Sequence, residues 1–226
     1  MNLCYNIFHI ENLGQSSNIR KQLSNRVVSV LDGVVDRIST DPVLINNQEL
    51  YDNFVNNVFD LKPHFEFKFG EMGVWASNIV AINEFIKSDY DVLMLMEDDI
   101  QINDNFYELL SDYLSTIPED WDVFSYFVHP NQFDRYTNIR SSNEIVLAYQ
   151  DWSMLCWLIT KHAAKKLIED ISKNGISMPI DWYIFRQPEK FKSYSLSPTA
   201  RRGCELYDTV STFQQIDDRI KINGIL

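Results

Sequence analysis

Apolar runs of strand length alternate along this 226-residue chain with stretches whose apolar residues recur every three or four positions. That alternation predicts an α/β fold with a mainly parallel central sheet flanked by helices. A first strand is expected over residues 3–10 and a second over 27–31, the latter stopping at Asp32-Gly33, with a short helix between them capped by Ser16-Ser17. Residues 40–68 are rich in Asn and Asp, show no clean period, and read as short helices and loops. From Glu71 onward Met72, Trp75, Ala76, Ile79, Ile82 and Ile86 keep helical spacing, which predicts a helix with one buried face and Gly70 and Glu71 at its start. Val92-Leu93-Met94-Leu95-Met96 then runs apolar without a break, as a strand covered on both faces does, and ends in Glu97-Asp98-Asp99.

Beyond this triplet, Asn103 or Asp104 is expected to cap a helix that turns Phe106, Leu109, Leu110, Tyr113 and Leu114 inward and closes at Pro118. Strands are expected over 123–128, 145–149 and 154–159. Thr160 should cap a last helix with Ala163, Ala164, Leu167, Ile168 and Ile171 inward, and Gly175 should end it. No repeat or Gly/Ser-rich linker interrupts the chain, so residues 1–226 read as one domain. Its segment 199–226, weakly periodic around Arg201-Arg202-Gly203, is the part expected to be mobile or to order on ligand binding.

Composition narrows the function classes. An apolar content of 45% supports one substantial core. Against 20 Lys and Arg stand 32 Asp and Glu, a net charge of −12 that argues against general affinity for a nucleic-acid backbone. Cys4, Cys156 and Cys204 are far apart and lack paired spacing, so neither a disulfide framework nor structural zinc is expected, and reduced cytosol is the natural compartment. No stretch approaches the roughly 18 apolar residues of a membrane span, and the N-terminal run lacks the flanks of a signal peptide. The expectation is a cytoplasmic protein with no integral membrane segment.

Three consecutive carboxylates at the end of a buried strand repel one another unless a positive charge sits among them. In open α/β sheets ligands bind outside the carboxyl ends of strands, where this triplet falls. Oxygen-only ligands suit Mn²⁺ or Mg²⁺, ions that share their coordination with substrate phosphates, and a nucleoside diphosphate meets that description. A solvated turn or a helix cap is the other reading, and position alone leaves both open. The chain has no Gly-x-Ser-x-Gly elbow and no phosphate loop, and four scattered histidines are a poor ligand set for a metal phosphoesterase.

The order of these motifs resembles the family 25 glycosyltransferases, which include bacterial lipopolysaccharide and collagen galactosyltransferases. The resemblance rests on Asn12-Leu13 with Arg20, Val30-Leu31-Asp32-Gly33, Gly70-Glu71-Met72-Gly73-Val74-Trp75-Ala76-Ser77-Asn78, Leu93-Met94-Leu95-Met96-Glu97-Asp98-Asp99, the stretch 157–167, and Met178-Pro179-Ile180-Asp181. It spans roughly residues 1 to 185, and Asn78 stands where the family usually has His.

The resemblance implies a GT-A-like nucleotide-sugar-binding fold, a sugar donated from a nucleoside diphosphate, expected to be a UDP-sugar, and a Mn²⁺ ion. By matching position Asp99 would ligate the metal, and Glu97 and Asp98 would touch the donor ribose or sugar and orient the metal shell, with Glu97 a further ligand. Asn12 and Asp32 would lie near the nucleoside. Glu71 and Ser77 would line the helix beside the site, where Glu71 either bonds a sugar hydroxyl or complements the helix start. Arg201 would add countercharge if the tail folds over the donor. Asp181 and Asp151, each next to a Trp, are the candidate bases, Asp181 preferred because its Pro-x-Asp resembles one in the family. The expected acceptor is a saccharide hydroxyl. A hydroxymethylated base of viral DNA is an alternative that the net charge disfavours, and a non-catalytic nucleotide-sugar-binding protein is one that the intact triplet disfavours.

Overall fold

A computed structural model of the chain describes residues 1–9, 36–40, 69–97, 100–127, 144–148, 154–197 and 199–206. Strands β1 (Leu3–His9), β2 (Asp36–Thr40), β3 (Val92–Glu97), β5 (Val123–Ser125), β6 (Ile145–Leu147), β7 (Cys156–Thr160) and β8 (Ser193–Leu196) form one sheet in the order β2-β1-β3-β7-β5-β8-β6. The β2-β1, β1-β3 and β5-β8 pairs are parallel, while β7 is antiparallel to both β3 and β5, and β6 to β8. Five of the seven strands therefore run the same way, and the sheet is mainly parallel as expected. A second, two-stranded sheet joins β4 (Ile100–Ile102) antiparallel to β9 (Cys204–Leu206).

Alternation along the strands divides the core in two. Val92, Met94 and Met96 of β3 face one layer with Cys156 and Leu158 of β7, and Leu93 and Leu95 face the other with Trp157 and Ile159. Against the first face pack α2 (Phe106–Thr116) and the small sheet; against the second pack α1 (Phe69–Lys87), α3 (Lys161–Asn174) and α4 (Ile180–Phe185). This double cover explains why the β3 sequence is uninterrupted in its apolarity: all of Val92 to Met96 is buried.

Helix ends follow local chemistry in part. The Thr160 hydroxyl accepts the Ala163 N–H at 3.2 Å, and Gly175 ends α3 with φ 76°, its N–H bonded to the Ile171 carbonyl at 2.8 Å. At α2 the expectation of Asn103 or Asp104 as cap fails: the cap position is Asn105, which makes no side-chain cap bond, and the Asn103 side-chain amide donates to the Arg202 carbonyl at 3.2 Å. The strand expected over 123–128 stops at Ser125, where the N–H groups of Tyr126 and Phe127 both turn onto the Cys156 carbonyl at 3.0 Å, a bulge that ends the ladder.

Strands β2, β4, β8 and β9 and helix α4 were not anticipated, and the strand and short helix expected over 16–31 lie outside the described residues. Within the segment expected to be mobile, residues 199–206 are packed: β9 pairs with β4, and the Tyr113 hydroxyl donates to the Arg201 carbonyl at 2.8 Å. No helix among the described residues is long and apolar enough to cross a membrane.

Candidate functional site

The parallel strands end at one edge of the sheet, and β3 delivers Glu97 there, half-buried, with its N–H on the Leu155 carbonyl at 2.9 Å. Three residues on, Ile100 opens β4 in the second sheet. Asp98 and Asp99 fall between these two anchors and lie outside the described residues.

The same edge receives the start of α1. At the opposite edge, the end of α1 meets the start of α3, for Lys161 hydrogen-bonds the Ser88 carbonyl and stands 5.4 Å over the Phe85 ring. The two helices thus run antiparallel, and the start of α1 returns to the Glu97 edge beside the residues that follow α3. Two contacts fix that junction: the Trp75 indole N–H donates to the Met178 carbonyl at 2.8 Å, and its ring meets Tyr183 edge-on at 5.4 Å. The stretches 70–78 and 178–181, about a hundred residues apart in sequence, are thereby neighbours.

Asp181 occupies the first turn of α4, half-exposed, with one carboxylate oxygen accepting the Trp182 N–H at 2.8 Å. Tyr183 is buried and donates its hydroxyl to Asp170, which makes it a core residue. Trp182 carries the Arg186 guanidinium on its face at 3.5 Å. Ser77 is buried in α1, while the Glu71 backbone lies in the first turn of that helix and its side chain outside the described residues. Asn78, only 1% exposed, donates its amide to the Val74 carbonyl at 2.8 Å, and its Oδ1 has no hydrogen-bond partner among the described residues. Asn12, Asp32 and Asp151 lie outside the described residues.

Arg201 sits on the other side of the sheet. Its guanidinium grips Glu144 with Nε at 3.2 Å and Nη2 at 3.3 Å, and Nη2 reaches Asp112 of α2 at 3.6 Å. The hydrogen bond from Arg201 holds the Glu144 carboxyl below its ordinary range, and burial followed by the Glu144 charge pushes the Tyr113 phenol up to about 12. The β4-β9 register puts Leu206, not Arg201, opposite Ile100 at the triplet end of the ribbon.

Among the described residues no group of three His, Cys, Asp or Glu side chains forms a metal cage. Of the triplet, Glu97 alone is described, and its carboxylate is an oxygen donor of the kind that a hard divalent ion takes.

No curated protein matches the sequence. Solved structures with a similar chain course include A197 from STIV, at 15% identity over 87% of this chain and 82% of that one with a TM-score of 0.37. A glycosyltransferase involved in the glycosylation of the major capsid of PBCV-1 follows at 10% identity, 88% and 82% coverage and a TM-score of 0.46. Glucosyl-3-phosphoglycerate synthase from Mycobacterium tuberculosis, solved with Mn²⁺, UDP and glucosyl-3-phosphoglycerate, gives 8% identity, 95% and 75% coverage and a TM-score of 0.41. The family profile described as glycosyltransferase family 25 (LPS biosynthesis protein) matches residues 8–184, a span that takes in the acidic triplet, the start of α1 and Asp181, and the chain accordingly belongs to that family and is a glycosyltransferase.

Proposed function

We propose that this glycosyltransferase moves a hexose from a UDP-sugar to a saccharide hydroxyl and holds its donor through Mn²⁺ or Mg²⁺ at Glu97 and Asp99. One observation carries the reading: a strand buried on both faces ends in Glu97 at the sheet edge where the start of α1 and the Met178 to Asp181 segment also meet. A carboxylate so placed, followed at once by two more, needs a compensating charge.

The ion supplies charge neutralisation for the departing diphosphate. Around it Asp98 contacts the donor ribose or sugar, Asn12 and Asp32 the nucleoside, and Glu71 a sugar hydroxyl, while Ser77 keeps the wall of α1 in place. In a transfer with inversion the acceptor oxygen forms its bond to the anomeric carbon as the bond from that carbon to the diphosphate oxygen breaks. The diphosphate leaves with the electron pair, and the acceptor proton passes to a carboxylate, Asp181 or in its stead Asp151. A role for Arg201 on the diphosphate requires its release from Glu144 and Asp112.

Thermal unfolding with UDP and UDP-sugars, with and without Mn²⁺, tests the reading on the unchanged chain and on Asp99→Ala. Stabilisation that needs nucleotide and Mn²⁺ together and is lost in the variant is expected; at a ligand concentration of 100 Kd it amounts to about 2.7 kcal/mol. No stabilisation by any nucleotide would sink the metal-diphosphate reading and leave the triplet a solvated turn.

A further inference from the structure

Sequence spacing separates the three cysteines, and the fold brings two of them together. Cys156 opens β7 in the main sheet and Cys204 opens β9 in the small one, with residues 157–203 between them. Each is 1% exposed, both belong to the core layer that packs with α2, and their thiols share a hydrogen bond. Cys4 takes no part: it lies in the other core layer, across the sheet, and its thiol donates to the Val92 carbonyl at 3.6 Å.

Tyr126 holds the two strands at this distance. Its N–H donates to the Cys156 carbonyl at 3.0 Å, and its hydroxyl lies so close to Gly203 that an added Cβ there would overlap it. Residues 156 and 203 are thus fixed at the two ends of one buried tyrosine, and the next residue along the chain brings its thiol to Cys156. Burial, followed by the charges of Cys204 and Cys156, pushes the Tyr126 phenol up, as two sulfurs beside it should. The tyrosine itself is held by its hydrogen bond to the Phe106 carbonyl at 2.9 Å and by edge-on contacts with Phe106 and Tyr113.

We propose that Cys156 and Cys204 are a modification site, a thiol pair that a peroxide converts to a disulfide tying β9 to β7. Nothing in this chemistry draws on the donor or the cation. Among the described residues β9 is paired with β4 alone, whereas β7 is held between β3 and β5, so Cys204 is the sulfur that opens to the oxidant and Cys156 the one that resolves. The Cys204 thiolate attacks the peroxide; a sulfur–oxygen bond forms as the oxygen–oxygen bond breaks, one water leaves, and a sulfenic acid remains. The Cys156 sulfur then attacks that sulfur; the disulfide forms as the sulfur–oxygen bond breaks, and the hydroxyl leaves as water with the last thiol proton. Two electrons pass from the thiols to the peroxide. The reaction is slow, because only thiolates attack and burial holds the Cys156 thiol well above its ordinary range.

The experiment treats the full, reduced chain with hydrogen peroxide at mildly alkaline pH, in buffer and in urea just below the unfolding transition, where β9 opens more often. Remaining thiols are alkylated after unfolding, and intact mass and a non-reducing digest are read. One alkyl group in place of three is expected, with the Cys156 and Cys204 peptides joined, and dithiothreitol should restore all three. Closing this loop should raise the thermal unfolding midpoint by about 4–16 °C. Cys204→Ala should form no disulfide and lose the rise, while Cys4→Ala should keep both. Oxidation of the fully unfolded chain is the reference, since there each cysteine can pair with either of the others. Three alkylated thiols under both native conditions, Cys204 over-oxidised without a joined peptide, or the mixed pairings of the unfolded chain would each overturn the proposal. A disulfide that lowers the midpoint would do so as well, for the two strands would then not be placed to accept the bond.

Discussion

At residue 175 the backbone takes φ 76° and ψ −176°, a region that glycine enters freely and a side chain enters only under strain. Gly175→Ala should therefore cost about 1–3 kcal/mol in urea unfolding, with the loss confined to stability. An unchanged midpoint would mean that the end of α3 can adopt another path at no cost. Both this stop and the Thr160 cap were legible in sequence because their chemistry is local: a hydroxyl within reach of the N–H three residues on, and a residue without Cβ after the last turn. The cap of α2 was not. Asn103, Asp104 and Asn105 have like propensities, and nothing local announces that the Asn103 side chain is drawn to a carbonyl at position 202. Trp75 teaches the same lesson within the site: periodicity announces its apolar face, and nothing local announces that its indole N–H will find the Met178 carbonyl.

Elements meet through a few polar ties, and the one between α3 and α4 makes the junction beside Asp181 sensitive to pH. Burial pushes the Asp170 carboxyl up, but hydrogen bonds from Lys190, Tyr183 and Asn174 outweigh it and hold the group below its ordinary value. A carboxyl with a lowered folded pKa adds stability that is fully present above the unfolded value of about 4 and is lost as pH falls through the folded one. Asp170→Asn should thus cost roughly 1.5–3 kcal/mol at neutral pH, the range for a hydrogen bond to a charged group. The gap from the unchanged chain should close as the solution is acidified below about pH 4, as read from denaturant midpoints across pH. A gap that stays constant down to pH 2 would contradict the assigned charge. Sequence patterns reach elements of this size unevenly. The nineteen residues of α1 and the buried run of β3 announce themselves. Ile-Gln-Ile of β4 and Cys-Glu-Leu of β9 are too short to show a period, and their pairing spans a hundred residues. Asp-Arg-Ile-Ser-Thr of β2 is polar throughout most of its length and gives no apolar signal at all.

Across the whole molecule the mainly parallel class was readable from alternating patterns, whereas the strand order, the reversed β7 and the two-sheet corner at the triplet depend on pairings that no local window contains. That arrangement also bears on whether residues 1–226 behave as one domain. Helices on the two faces share no core with each other, yet adjacent residues of β3 serve both: Met94, in the layer with α2, and Leu95, in the layer with α1, are each wholly buried. Neither layer can dissolve while the sheet persists without stripping cover from the strands that support the other. A single cooperative transition is therefore expected, and Met94→Ala and Leu95→Ala, each costing about 2–5 kcal/mol, should shift that one transition by like amounts. Tryptophans report the two sides separately, since Trp75 and Trp157 lie in the α1 layer and Trp121 in the α2 layer. Denaturant curves from tryptophan fluorescence should coincide with those from far-ultraviolet circular dichroism, and chains keeping only Trp121, or only Trp75 and Trp157, should give the same midpoint relative to their own dichroism curve. Separated midpoints, with Met94→Ala moving one and Leu95→Ala the other, would divide the chain into two folding units. The acidic corner would then lie on the boundary between them, since β3 belongs to both layers and β4 to the α2 side alone.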